Sequence, residues 1–221
     1  MTANALALLV ESAAGAVCAG RVVAYPTETL YGLGADARSE RAIERLRAWK
    51  GRGESQPIAI LVETAAALAP LGIALPAAGA ALARAFWPGP LMLVLPAQAG
   101  FAAGVGRADG AVGVRCSSHP LAIALAARLA REGVAITTTS LNRTGEPPAR
   151  THAEARAVCG EDADAPLLIG TPDLREPTGV PSTVVDLAAP APVLLREGLV
   201  SRASLERVLG CRLAPAPGVV A

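Results

Sequence analysis

Short apolar runs recur along the chain, each closed by proline, glycine or a polar cluster, and this pattern limits the possible folds more than any other feature. They read "RVVAYP" (Arg21–Pro26), "PIAILV" (Pro57–Val62), "LMLVLP" (Leu91–Pro96), "AVGVR" (Ala111–Arg115) and "VAITTTS" (Val134–Ser140). Runs this short, rich in valine, isoleucine and leucine, fit buried strands. Between them lie segments of helical period: Leu6–Ala19 stopped by Gly20, Ser39–Lys50 with Ser39 as N-cap, and "HPLAIALAARLAR" before the last of these strands. Interleaving of this kind requires an α/β fold, a sheet with helices packed on it. Further on, "PLLIG", "STVVDL" and "PVLLREG" are shorter strand-like pieces that imply mixed strand directions, and a helix over Ser201–Leu209 closes the pattern. No linker or repeat divides the chain. The expectation is one domain over residues 1–212 and a flexible tail over 213–221.

With 221 residues the chain can bury a substantial core, and an apolar share of 52% excludes a disordered class. Its formal net charge of +1 offers no overall field to nucleic acid, so any attraction to phosphate has to come from locally clustered arginines. Cys18, Cys116, Cys159 and Cys211 lie far apart with no CxxC pair, and His119 and His152 are the only histidines. Buried thiols in a reducing cytosol are expected, and no metal site. No basic residue precedes Arg21 and Glu11 interrupts the first apolar stretch, which is unlike a signal peptide. Thr64–Ala83 carries no charge, but Pro70, Gly72, Pro76 and Gly79 divide it into what reads as two short helices joined by a turn. A cytoplasmic protein with no membrane partner is the expectation.

Several motifs are missing. GxxxxGK[ST], GxSxG and HExxH do not occur. "YGLGADA" and "GVGRADG" hold GxG pairs without the third glycine of a dinucleotide fingerprint, and turns are expected there. Two tryptophans, two tyrosines and two phenylalanines are too few for a base-stacking platform. What remains is hydroxyl and guanidinium chemistry at strand ends: "VVAY" runs into "PTETLYGLG", "VGVR" ends at Arg115, "VAIT" runs into "TTSLNRTGEP", and "PTGVPSTVVDL" places Ser182 and Thr183 at the head of a strand. In α/β sheets ligands bind where strand ends open into loops, and such groups suit phosphate and carboxylate oxygens. Taken singly, Thr27 and Thr29 equally suit a turn after Pro26, Arg115 a surface strand end, and Arg196 a solvated residue before a glycine turn. Lys50 is the only lysine, against nineteen arginines, and stands two residues before Arg52.

The order of these segments resembles a known family. "YPTETLYGLG", "KGR" followed by "QP" and an apolar strand, "WPGP", "VGVRC", "TTSLNRTGEP", "PSTVVDL" and "LLREG" together resemble the YrdC/TsaC family, the threonylcarbamoyl-AMP synthases of transfer-RNA modification, from about Val22 to Gly198. The resemblance is to the short, single-domain form. It implies a twisted mixed sheet with flanking helices around a concave anion-binding cavity. It implies a nucleotidyltransferase that converts L-threonine, bicarbonate and ATP into L-threonylcarbamoyl-AMP and pyrophosphate, for transfer by a partner complex to transfer RNA. Carried over by motif position, Lys50, Arg52, Ser140 and Asn142 form the catalytic KxR and SxN group. Arg52, Gln56, Ser140 and Arg196 contact ATP, and Thr29, Arg115, Thr138 and Ser182 contact L-threonine, Arg115 as a fork for its carboxylate. Magnesium is expected with ATP, held mainly by phosphates. Direct contact with transfer RNA is left open.

Four positions depart from the family pattern. Gly53 replaces the proline usual after "KGR", Leu61 stands where many relatives have histidine, Met92 where threonine is common and Pro148 where serine is frequent. They bear on amino-acid specificity more than on nucleotide chemistry. Two other readings are carried beside the leading one: a carbamoyl-adenylate-forming enzyme on the same scaffold, and a non-catalytic protein that binds structured RNA.

Overall fold

Burial on both sides of the apolar runs assembles them into one mixed sheet. In the computed structural model, residues 2–51, 53, 56–98 and 100–216 are described. In chain order the strands are β1 (Val23–Pro26), β2 (Tyr31–Gly34), β3 (Ala59–Leu61), β4 (Leu91–Pro96), β5 (Ala111–Arg115), β6 (Ile136–Ser140), β7 (Leu167–Leu168), β8 (Thr183–Asp186), β9 (Val193–Arg196) and β10 (Ala214–Pro215). Across the sheet they run β10-β9-β8-β4-β5-β3-β6-β2-β1-β7. The pairs β9/β10, β4/β8, β3/β5 and β1/β7 are parallel and the others antiparallel, so strand direction is mixed as the short late segments implied.

The helices are α1 (Ala3–Cys18), α2 (Glu40–Lys50), α3 (Ala77–Phe86), α4 (Pro120–Ala130), α5 (His152–Cys159) and α6 (Arg202–Leu209). Strand alternation sends neighbouring side chains to opposite faces and so sorts the core into clusters. On one face α1 and α4 cover the β1 end, where Leu121, Leu125 and Leu129 meet Tyr25, Leu61 and Ile136. On the other, Leu82 of α3 and Leu205 of α6 pack on Ile60, Leu93 and Val114, while Ile43 and Leu46 of α2 and Ala155 of α5 pack on Ala24 and Leu33. Helix α2 starts where the Ser39 hydroxyl accepts the Ala42 N–H and stops at Gly51, whose φ of 64° is left-handed. Lys50 is therefore its last residue.

The structure corrects several expectations. "YGLG" is not a turn but strand β2, pairing with both β1 and β6. Its glycines hide the strand pattern, and Gly34 is needed for close approach: a Cβ there would stand 2.7 Å from Ile136 Cδ1 and 2.9 Å from the Thr137 carbonyl oxygen. Gly34→Ala is expected to cost about 1–3 kcal/mol, read as a lower urea midpoint. The first of the two short helices expected in Thr64–Ala83 is a pair of 3₁₀ turns, Ala65–Ala67 and Ala69–Leu71, separated by Leu68; Pro70 lies in the second, which ends at Gly72. Helix α5, His152–Cys159, falls in a stretch to which the sequence reading assigned no element. Ala214–Pro215 pair with Val193 and Leu194, so backbone pairing carries the sheet past the boundary expected at residue 212; residues 217–221 lie outside the described residues. Cys116 and Cys159 are buried, whereas Cys18 and Cys211 are exposed, against the expectation of buried thiols throughout. Among the described residues no helix is long and apolar enough to cross a membrane.

Candidate active site

Strand register draws the site. Arg115 on β5 faces Met92 on β4, Met92 faces Val184 on β8, and Val184 faces Arg196 on β9. Residues in direct register point to one face, so the two arginines flank a row three strand spacings wide, roughly 14 Å at the backbone. On the other side of β5, Thr138 on β6 faces Ala59 on β3, and Gly32 on β2 faces Ser140. All of these side chains, with Thr29, Lys50, Gln56, Asn142 and Ser182, line one cavity of about 650 Å³. Every candidate residue inherited from the motifs that lies among the described residues is therefore in one place; Arg52 lies outside them.

At one end of the cavity, Thr27 shapes the turn after β1. Its hydroxyl donates to the Leu30 carbonyl at 2.6 Å and accepts from the N–H groups of Thr29 and Leu30. The turn reading of Thr27 thus holds, and that turn aims Thr29, whose hydroxyl accepts from Arg115 Nη2 at 2.5 Å. Arg115 is 7% exposed and Glu28 5%. Their ion pair spans 3.0 Å, and the second Glu28 oxygen accepts from the Ser117 hydroxyl and the Ser118 N–H. Burial pushes the Glu28 carboxyl up, but Arg115 and the Ser117 hydroxyl outweigh it and hold the group below its ordinary value. Arg115 Nε is buried with no hydrogen-bond partner among the described residues. Sequence reasoning passed over Glu28; the signal was there, a lone carboxylate in the hydroxyl-rich run that follows a strand.

The opposite wall is organised by the lysine. Lys50, 4% exposed, donates from Nζ to the Ser140 carbonyl at 2.5 Å, the Asn142 carbonyl at 3.0 Å and Asn142 Oδ1 at 2.8 Å. Ser140 Oγ also donates to Asn142 Oδ1, at 2.7 Å, and the Asn142 amide donates to the carbonyls of Arg143 and Glu146. An ammonium has three donors, so Lys50 acts here as a pin that fixes the loop after β6 and as a fixed positive charge behind it. Arg143 lies over the Trp49 ring, 4.2 Å from its centre, on the far side of the same wall.

Arg196 closes the third side. Its Nε donates to the Ser182 carbonyl at 3.0 Å and Nη2 to Ser182 Oγ at 3.3 Å. The Thr183 hydroxyl gathers the turn after β9, accepting from the N–H groups of Gly198 and Val200. Gly198 permits that approach, since a Cβ there would lie 2.2 Å from the Pro181 carbonyl oxygen. Partial desolvation by the cavity wall and the Arg115 guanidinium both lower the Arg196 pKa from its ordinary value, as expected for two cations sharing one space. The lining carries Lys50, Arg115, Arg150 and Arg196 and, among the described residues, no aspartate or glutamate. A chain of net charge +1 thus concentrates positive charge in one cavity. No group of three or more potential metal ligands occurs among the described residues.

The departures from the family pattern divide. Met92 and Pro148 line the cavity. Leu61 faces Arg115 in register, is 3% exposed and packs into the α1/α4 core. The Gly53 carbonyl accepts from Arg47 Nη2 at 2.7 Å, outside the cavity.

A family model for Sua5, YciO and YrdC proteins, described as "Telomere recombination", matches residues 16–198. The threonylcarbamoyl-AMP synthase of Halorhodospira halophila is 38% identical over 171 residues, 77% of this chain and 88% of that protein. The Pyrococcus abyssi protein of the same name is 36% identical over 209 residues, of which this chain spans 59% of the length. The solved structure of P. abyssi Sua5 complexed with L-threonine superposes with a TM-score of 0.84 at 33% identity, covering 96% of this chain and 61% of that one. Escherichia coli YciO, 22% identical with a TM-score of 0.75, shares the fold. With most of its length matched by the family model and by relatives above 30% identity, the chain belongs to the Sua5/YciO/YrdC family.

Proposed function

We propose that the cavity makes L-threonylcarbamoyl-AMP and pyrophosphate from L-threonine, bicarbonate and ATP. The observation that carries this reading is that, among the described residues, four cations and no carboxylate line one cavity, one end of which is a buried arginine bonded to a threonine hydroxyl. The first feature suits a polyphosphate and the second an amino-acid carboxylate. The names of the relatives and the L-threonine complex of P. abyssi Sua5 point the same way.

Arg115 takes the threonine carboxylate, with Thr29, Thr138 and Ser182 supplying hydroxyls around the amino acid. The neutral amine adds to bicarbonate, forming an N–C bond with loss of water, and the resulting carbamate oxygen attacks the α-phosphorus. The bond from that phosphorus to the bridging oxygen breaks and pyrophosphate leaves. No protein nucleophile is required; the work is alignment and compensation of charge on phosphate oxygens. Ser140, Asn142 and Gln56 present polar groups to the nucleotide, Lys50 and Arg196 compensate its charge, and Arg52 joins them. Magnesium enters as part of the nucleotide substrate and is held by its phosphates, since the described lining offers no carboxylate. The product passes in the cytoplasm to a threonylcarbamoyl-transfer complex acting on transfer RNA.

Pyrophosphate release measured with ATP, bicarbonate and each amino acid in turn tests this. Release that depends on threonine is expected. Release only with carbamoyl phosphate would replace the reading by carbamoyl-adenylate formation, and no release together with retention of structured RNA on a filter would replace it by RNA binding.

A further inference from the structure

We propose that Arg150 is a further nucleotide-binding residue, its guanidinium engaging the β- and γ-phosphates that leave as pyrophosphate; this rests on the reaction proposed above. Three of the four cations lining the cavity are held by protein groups: Lys50 by Ser140 and Asn142, Arg115 by Glu28 and Thr29, and Arg196 by Ser182. Arg150 differs. Its backbone N–H donates to Glu154 at 2.7 Å, but its guanidinium has no hydrogen bond or ion pair among the described residues.

The backbone around Arg150 fixes where it stands. The loop after β6 is closed at its neck by three bonds: Leu141 N–H to the Tyr31 carbonyl, Tyr31 N–H to the Ala149 carbonyl, and Ala149 N–H to the Leu141 carbonyl, at 2.9, 3.0 and 3.0 Å. Ser140 leads into the neck and Arg150 leaves it, so the closure holds both at the base of the loop, and both line the cavity. Within the same loop the Thr144 N–H donates to the Lys50 carbonyl at 2.8 Å, tying it to the end of α2. Arg150 therefore stands between the Lys50–Ser140–Asn142 wall and the turn that carries Thr29, within reach of either end, and charge decides between them. The amino-acid end already has a buried arginine for its single carboxylate, whereas a triphosphate carries several charges.

The Arg150 stem also has a prepared path. It runs against Gly179, where a Cβ would lie 3.3 Å from Arg150 Cδ and where φ is +79°. The Gly179 and Thr178 N–H groups are bonded to the carbonyls of Thr29 and Glu28. The stem is thus laid along a fixed turn with the planar fork left to rotate at the mouth, a geometry that suits bidentate contact with phosphate oxygens.

Calorimetric titration of inorganic pyrophosphate and, separately, of L-threonine into the wild-type chain, Arg150→Gln and Arg150→Lys tests the assignment. Loss of a hydrogen bond to a charged group corresponds to roughly a tenfold or greater weakening. Arg150→Gln is expected to bind pyrophosphate at least about tenfold more weakly with threonine affinity unchanged, and Arg150→Lys to recover part of the loss. Equal pyrophosphate affinity in all three, loss of threonine affinity instead, or no pyrophosphate binding by the wild type would each overturn it. Because the readout is binding, a wild-type chain that binds pyrophosphate but releases none from ATP and threonine would refute the reaction and leave the residue assignment standing.

Discussion

Replacing Lys50 by arginine is expected to lower kcat/KM for pyrophosphate release by at least about 100-fold, despite an unchanged charge. The lysine ammonium reaches three acceptors on two residues of one loop, the Ser140 and Asn142 carbonyls and Asn142 Oδ1, from a side chain 4% exposed. A compact ammonium directs donors to acceptors around one point, whereas a guanidinium is a flat fork with donors spread over three nitrogens. Arginine at this site must displace the loop or leave acceptors unmatched, and either moves the Ser140 and Asn142 side chains that line the cavity. Helix α2 is anchored elsewhere by Ile43 and Leu46, so far-ultraviolet circular dichroism is expected to match the wild type. An arginine variant within about threefold of wild-type turnover, a difference under 1 kcal/mol, would remove Lys50 from the account.

The largest effect on stability is expected from Glu28→Ala, about 3–5 kcal/mol. Arg115 is 7% exposed and, among the described residues, Glu28 supplies its only carboxylate partner, 3.0 Å away. Removing that carboxylate strands a buried charge whose Nε already lacks a hydrogen-bond partner among the described residues. Urea unfolding measures the loss, and the double variant Glu28→Ala, Arg115→Leu is expected to recover much of it because neither charge is then left buried alone. The pH dependence follows from the same pair. Because the folded Glu28 carboxyl lies below its ordinary value of 4.5, the unfolded chain binds more protons as the medium acidifies. The contribution is therefore full above the unfolded value and lost as pH falls through the folded one, so Glu28→Ala should flatten the acid limb of the stability curve. A single variant as stable as wild type would show that Arg115 does not depend on Glu28.

The parts of this molecule that were legible in its sequence are those governed by local periodicity and burial. Apolar runs such as Leu91–Pro96 and Ala111–Arg115 marked strands to the residue, and Ser39 and Gly51 bracketed α2. Strand β2 was hidden because close contacts with Ile136 and the Thr137 carbonyl demand glycine, which erases the side-chain alternation a strand is read from. Helix α5 was hidden by its brevity and mixed polarity, though its N-cap, Thr151 accepting from Glu154 N–H, is an ordinary one. For the site, motif order named residues that cross-strand register then placed together, since Arg115, Met92, Val184 and Arg196 are distant in sequence but successive partners across four strands. Glu28 and Arg150 were passed over for different reasons. Glu28 matters through a pairing with Arg115 that only the fold creates, and Arg150 through a loop neck whose backbone bonds leave no trace in side-chain pattern.

The cavity is proposed to join threonine, bicarbonate and adenylate into one product. The direct measurement is mass spectrometry of the mixture formed from isotopically labelled bicarbonate, L-threonine and ATP. An adenylate carrying both threonine and one labelled carbon, formed in step with pyrophosphate, is expected. An adenylate without threonine, or pyrophosphate released with no label in any nucleotide product, would contradict it.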